Sequence, residues 1–189
     1  MFRKDRSFTP QKMFHVLFGV LLVPWLALAS PSVAPSPSCD QEGANDRMRK
    51  EVLSVHNRYR AELDLPPLVW SETLEAHASA WANFLAQRGG VLCHSQYPGE
   101  GENLWKGTAN HYSYAQKVEY WASKKKFFKN GVFPHVSKTG SWSDVGHYSQ
   151  MIWRKTTQVG CAKATTGDQD IFVCRYAPPG NILTRKVDD

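Results

Sequence analysis

Only four of the 189 residues are cysteine: Cys39, Cys93, Cys161 and Cys174. Their spacing matches neither a zinc ribbon nor a thiol redox pair, which excludes both. No apolar run after residue 29 is long enough to cross a bilayer, so the chain is not a membrane bundle. A strong surplus of charge is also missing. The net charge of +6 comes from 23 basic and 17 acidic residues, and removing the first 29 residues takes away four basic and one acidic, leaving 19 against 16, or +3. A surplus this small does not argue for a nucleic-acid partner. The one dense basic cluster, Lys124, Lys125, Lys126 and Lys129, reads as the solvated end of a helix.

The apolar bulk that stands outside the domain is all at the beginning. Arg3, Lys4, Arg6 and Lys12 precede an almost uncharged run from Met13 to Ala29, and Ala27 and Ala29 sit where a signal peptidase accepts small side chains. Residues 1–29 are therefore expected to be an export signal cleaved after Ala29, leaving no stable membrane insertion; the alternative is an uncleaved anchor, against which the run is short for a bilayer and contains Pro24. That predicts a secreted, extracellular protein, or a periplasmic one in a Gram-negative bacterium. All four cysteines lie beyond the signal and would mature in an oxidising compartment. Residues 30–45, rich in Pro, Ser, Ala and Gly, read as a linker with too little apolar bulk to order itself.

From Asn45 onward Met48, Val52, Tyr59 and Leu63 recur at helical spacing, and Pro66 and Pro67 are expected to stop this helix near Asp64. Ser71 caps a second helix with Leu74, Ala78, Trp81 and Leu85 on its inner stripe, ended by Gly89 and Gly90. A third helix is predicted over 113–126, with Ala115, Val118 and Trp121 inward, and a short fourth over 144–153, with Trp153 in the core. The last region reads as two strands around the turn-forming stretch 165–170. If Gly167 and Asp168 are the two loop residues of a tight hairpin, positions summing to 335 face each other, and Cys161 and Cys174 are such a pair. They fall at a non-hydrogen-bonded position, where α-carbons approach to about 4.5 Å, within reach of a disulfide. Subtraction leaves Cys39 to pair with Cys93.

Two stretches bear the closest resemblance to known proteins. The run from Gly146-His147-Tyr148-Ser149-Gln150 to Trp153, continuing to Val159-Gly160-Cys161-Ala162, and the run from Phe172-Val173-Cys174-Arg175-Tyr176 to Gly180-Asn181 resemble the two signatures of the CAP superfamily, which spans cysteine-rich secretory proteins, venom antigens and plant pathogenesis-related proteins. His56-Asn57 with Arg60, Pro67-Leu68, His94-Ser95 and Gly101-Glu102-Asn103-Leu104 match in the same order. The resemblance covers residues 46–181, with 182–189 left as a tail.

The resemblance implies an α+β fold, a three-layer α-β-α sandwich around a small central antiparallel sheet. It also implies a cleft collecting His94, Glu102, Glu119 and His147. Two imidazoles and two carboxylates would suit zinc or another divalent cation, with His94 and His147 as the metal ligands. A secreted module that binds a small apolar ligand, such as a sterol or fatty acid, or a protein partner, is the expected function. The alternative is a metal-dependent hydrolase or protease in which Glu102 or Glu119 is the catalytic base. A purely structural role is the third, with Glu102 and His147 bonded to each other. Four cysteines and an end soon after Asn181 give no support to the ion-channel regulation associated with a cysteine-rich extension. Phe128 and Phe133, between Phe127 and Trp142, fall where relatives bind sterols. Their exposure would favour lipid capture, and their burial only packing.

Overall fold

The computed structural model describes residues 39–189 apart from Tyr97, with side chains described from residue 43. The export signal and residues 30–38 of the linker lie outside the described residues. Helix α1, Cys39–Ala61, begins before the expected start, so the end of the linker is helical. Met48, Val52 and Val55 are its buried apolar positions, and Leu63 lies past its end and is exposed. Polar His56 and Arg60 fill the rest of the buried face. The chain turns at Asp64, with φ 53°, just before the two prolines.

Strand β1 is only Val69–Trp70. Helix α2, Glu72–Gln87, starts as expected, with the Ser71 hydroxyl accepting from the Leu74 amide at 3.3 Å, and ends before Gly89 and Gly90 at φ 76° and 74°. Strand β2, Gly101–Thr108, was not anticipated as a strand. Helix α3, Tyr114–Ala122, opens on a capping box made by Ser113 and Gln116 and tightens into a 3-10 turn over Ser123–Phe127. The short helix α4 is Gly146–Met151. Strands β3, Gln158–Thr166, and β4, Gln169–Ala177, form the expected hairpin, with Thr166 opposite Gln169 and Cys161 opposite Cys174. Gly167 takes φ 56° at the first of the two loop positions, a conformation glycine reaches without penalty.

The strand order is β1-β3-β4-β2. The hairpin and β2 are antiparallel, and the two-residue β1 runs parallel to β3. Alternation along β4 sorts the two faces. Ile171 and Val173 join Ala162, Ala164 and Leu104 against Ala78, Ala82 and Leu85 of α2. Phe172, Cys174 and Tyr176 join Trp105, Val159 and Cys161 in a larger core with Val52, Val118, Trp121 and Met151 of the other helices. The chain is thus an α-β-α sandwich: α2 covers one face, and α1, α3 and α4 the other. Each large apolar side chain so buried contributes roughly 1.5–3 kcal/mol.

The Cys161–Cys174 disulfide is formed inside the larger core, with α-carbons 4.1 Å apart. The expected Cys39–Cys93 bridge is not: Cys93 is an exposed free thiol, and the side chain of Cys39 lies outside the described residues. The C-terminal tail packs against the domain rather than leaving it. Val187 is buried, and the Phe133 amide donates to the Arg185 carbonyl at 2.8 Å. Among the described residues no helix is long and apolar enough to cross a membrane.

Candidate functional site

The end of the sheet where β2 and β4 meet α4 opens into a cavity of about 650 Å³. Three of the four residues expected in the cleft line it: His94, Glu102 and His147. His94 comes from the loop before β2, Glu102 from β2 itself and His147 from the first turn of α4. His94 is exposed, and its Nδ1 lies 2.6 Å from Glu102 Oε1. The same oxygen accepts from the Ser95 amide at 3.1 Å. The other carboxylate oxygen faces Arg175, whose Nη2 is 3.1 Å away on the neighbouring strand. In the sheet register Glu102 stands opposite Arg175, so this ion pair is a direct consequence of the β2–β4 pairing.

His147 is anchored through its backbone, its carbonyl accepting from Asn103 Nδ2 at 3.1 Å. Its ring lies 5.9 Å from that of Trp121. Burial lowers its pKa to about 4, and the charges of His94 and Lys124 push in the same direction, so the imidazole is neutral at physiological pH. Glu102 and His147 do not form the mutual bond of the structural reading: the carboxylate is engaged by His94, Ser95 and Arg175.

Glu119 is not among the residues lining the cavity. Val118, Trp121 and Ala122 turn the inner face of α3 to the core, leaving Glu119 toward α1. There its carboxylate is held by the Arg58 guanidinium and by the Tyr59 hydroxyl at 2.9 Å. Among the described residues no three His, Cys, Asp or Glu side chains are grouped to hold a metal ion. With Glu119 committed elsewhere and both oxygens of Glu102 engaged, one by hydrogen bonds and one by the charge of Arg175, two imidazoles are the free donors of the expected set. Zinc sites ordinarily take at least three protein ligands, so the four-group set does not fit a divalent ion as the side chains are arranged.

One side of the cavity wall is apolar and was only partly foreseen. Phe133, Pro134, Trp142 and Leu183 line it. Phe133 is buried, stacked edge-on against Trp142 and Trp153, and Phe128 is half-buried against Tyr148, so of the two outcomes left open for them it is packing that their surroundings favour. Trp142 and Leu183 are the open ones, 48% and 64% exposed. Leu183 had no local signal, since it lies in the stretch read as a tail. Gln150 forms part of the floor, wedged so tightly that a Cβ on Gly101 would lie 2.2 Å from its Oε1. Gln150 Oε1 accepts from the Gly180 amide at 2.9 Å, which ties α4 to the stretch after β4.

Residues 53–176 match the CAP family, described as the cysteine-rich secretory protein family. The chain belongs to the CAP family. It is 33% identical to pathogenesis-related protein 1A of Nicotiana tabacum over 172 residues, covering 89% of this chain and 94% of that protein. Among solved structures it is similar to BmVAL-1, with a TM-score of 0.61 and 25% identity over 84% of this chain and 85% of that one. It is also similar to Na-ASP-1, with a TM-score of 0.63 and 26% identity over 75% of this chain. This chain spans 41% of Na-ASP-1. The fold is therefore that of a CAP domain, and the sequence is of the pathogenesis-related protein 1 type.

Proposed function

We propose that this CAP domain is an extracellular module that binds a small apolar ligand, such as a sterol or fatty acid, in the cavity beside α4. The observation that carries the reading is the pairing, in one cavity, of an open apolar wall with a polar floor: Trp142 and Leu183 on the one hand, His94 and Asn181 on the other. A volume of about 650 Å³ suits a ligand of that size. The buried disulfide and the apolar run at residues 13–29 support an oxidising, extracellular destination. A protein partner resting on the same exposed apolar residues is the other occupant to be tested.

Hydrolysis is the weaker reading. Its base would be Glu102 or Glu119, yet the first is engaged by an imidazole and a guanidinium and the second by Arg58 and Tyr59. Its metal would have the imidazoles of His94 and His147 for protein ligands, one fewer than a zinc site ordinarily takes.

The test is binding of a fluorescent sterol and a fluorescent fatty acid to the purified protein, to Trp142→Ala and to a His94→Ala, His147→Ala double variant, with peptide cleavage assayed with and without zinc. Saturable lipid binding weakened about tenfold or more by Trp142→Ala is expected, since losing a large buried contact costs more than 1.4 kcal/mol. Wild-type affinity in Trp142→Ala would remove the cavity from the account. Zinc-dependent cleavage abolished by the double variant would replace it with the hydrolase.

A further inference from the structure

Glu102 is one end of a row of charges that runs away from the cavity toward α2. Glu100 is nearly buried, and its Oε1 lies 2.7 Å from Nδ1 of His77 on α2. Its Oε2 lies 3.7 Å from Arg175 Nη1. The two terminal nitrogens of one guanidinium therefore face two carboxylates, Nη1 toward Glu100 and Nη2 toward Glu102. The approach to both outer oxygens has the distance of an ion pair without the alignment of a hydrogen bond, so the contact is one of charge with charge. Arg175 itself is only 2% exposed.

Two nearly buried carboxylates converging on one site must be balanced by a proton or by a cation, because taking their charge out of water is costly otherwise. Here the balancing charge is covalently part of the chain. Its position is set by the sheet, since Arg175 stands between Gly160 on one side and Glu102 on the other. Gly160 has no side chain, and α2 packs directly on it. The remaining oxygens are occupied by His77, His94 and the Ser95 amide. Of the charges acting on His147, His94 and Lys124, neither is negative in any protonation state.

We propose that Arg175 is the resident counter-ion of this cleft: its guanidinium stands between Glu100 and Glu102 where a divalent cation would otherwise be bound, and so excludes oxygen-seeking ions such as calcium and manganese from the carboxylates. This goes beyond the apolar-ligand reading and does not depend on it. It makes Arg175 the residue that decides whether the floor of the cavity presents two anions to an ion or a neutralised row to a ligand.

The test is a titration with calcium or manganese, read by calorimetry, by thermal melting and by paramagnetic broadening of amide signals with manganese. The wild type is expected to show no shift in melting and no broadening centred on Glu100 and Glu102. Arg175→Gln is expected to bind the ion, with melting raised by about 5 °C or more at about 100 times the dissociation constant. Adding Glu102→Gln to that variant is expected to abolish the gain. Manganese broadening centred on these two carboxylates in the wild type would overturn the proposal however the variants fold, as would a folded Arg175→Gln that binds neither ion. An Arg175→Gln that is unfolded alone and refolds on adding calcium counts in its favour. If it stays unfolded with the ion, the wild-type broadening decides by itself. Lipid binding is read separately on the wild type, so its failure leaves the counter-ion proposal standing.

Discussion

Nε2 of His56 lies 2.9 Å from the hydroxyl of Tyr176, joining α1 to β4 across 120 residues of chain. Nδ1 of the same ring lies 2.8 Å from the Val52 carbonyl, which can only accept, so Nδ1 carries the proton and Nε2 accepts from the tyrosine. The Tyr176 oxygen in turn accepts from Asn103 Nδ2 at 3.1 Å, and that amide also donates to the carbonyl of His147. A line of hydrogen bonds thus runs from the core of α1 to the backbone of the cavity residue.

The line holds only while His56 is neutral. Burial lowers its pKa to about 4 against an ordinary value of 6.5, so between these values the unfolded chain binds a proton that the folded one does not. The stability that the neutral ring contributes is complete above pH 6.5 and is lost as pH falls toward 4. At 1.36 kcal/mol per unit this is about 3 kcal/mol. Urea denaturation at pH 7 and pH 4.5 is expected to show most of that loss together with the share of His147, whose pKa burial also lowers to about 4, and His56→Gln, which cannot charge, is expected to make the dependence shallower by its own share. An unchanged slope in that variant would show that other groups govern acid lability.

Arg60 is a fully buried cation that forms no ion pair with a carboxylate among the described residues. Its charge is met by backbone oxygens alone: Nε donates to Pro66 at 2.7 Å, Nη1 to Met151 at 3.1 Å and Trp153 at 2.9 Å, and Nη2 to Thr156 at 3.0 Å. One side chain thereby gathers the end of α1 and the connection from α4 to β3. Arg60→Met fills similar volume and leaves these carbonyls without donors, so a loss of about 3 kcal/mol or more is expected in urea denaturation. Arg60→Lys is expected to fall between, since one ammonium cannot reproduce the fork. Equal stability of Arg60→Met and wild type would show that the carbonyls are satisfied by other means.

The hairpin was legible in the sequence because its turn residues and its two cysteines gave independent readings of one register, and both agree with the observed pairing. Strand β2 was not. Gly101, Asn103, Lys106 and Gly107 have low strand propensity, and only its pairing with β4 makes it a strand. The inner face of α1 was half legible, since apolar periodicity does not count His56 and Arg60. In the cavity, His94, Glu102 and His147 were found through family motifs and not through spacing. Motif matching cannot tell which side of a helix a carboxylate leaves from, and Glu119 leaves α3 toward α1. Arg175 stood inside a quoted motif, but its role depends on a cross-strand neighbour 73 residues away, Glu102.

The Cys161–Cys174 bridge closes a loop of 13 residues in sequence, for which the chain-entropy model gives about 3 kcal/mol. Both cysteines are fully buried, so native protein is expected to resist dithiothreitol until denaturant is added. Cys93, free and exposed, is expected to react with a maleimide in the native state. A Cys161→Ala, Cys174→Ala double variant is expected to lose about 2–5 kcal/mol. Peptide mapping of unreduced protein that finds Cys93 cross-linked, or the buried pair as thiols, would contradict the assignment.

Gly160 is the place where one methyl group would do most damage. A Cβ built on it would lie 2.2 Å from the amide nitrogen of Glu75, 2.5 Å from the carbonyl oxygen of Ser71 and 2.6 Å from the carbonyl carbon of Leu74. All three are backbone atoms of the first turn of α2 and its cap, so no rotamer change relieves the clash and the helix itself must move. Gly160→Ala is expected to cost about 3 kcal/mol, at the upper end for an overpacked core. Gly89→Ala is the control: its φ of 76° strains alanine, but the space around it is open, and about 1–2 kcal/mol is expected. The displaced helix also carries His77, and Gly160 is the strand neighbour of Arg175, so the row from His77 through Glu100 and Arg175 to Glu102 would lose its spacing. Gly160→Ala should therefore alter cavity binding as well as stability, while Gly89→Ala should alter stability alone. Equal losses in the two variants would mean that α2 does not rest on the strand at that point.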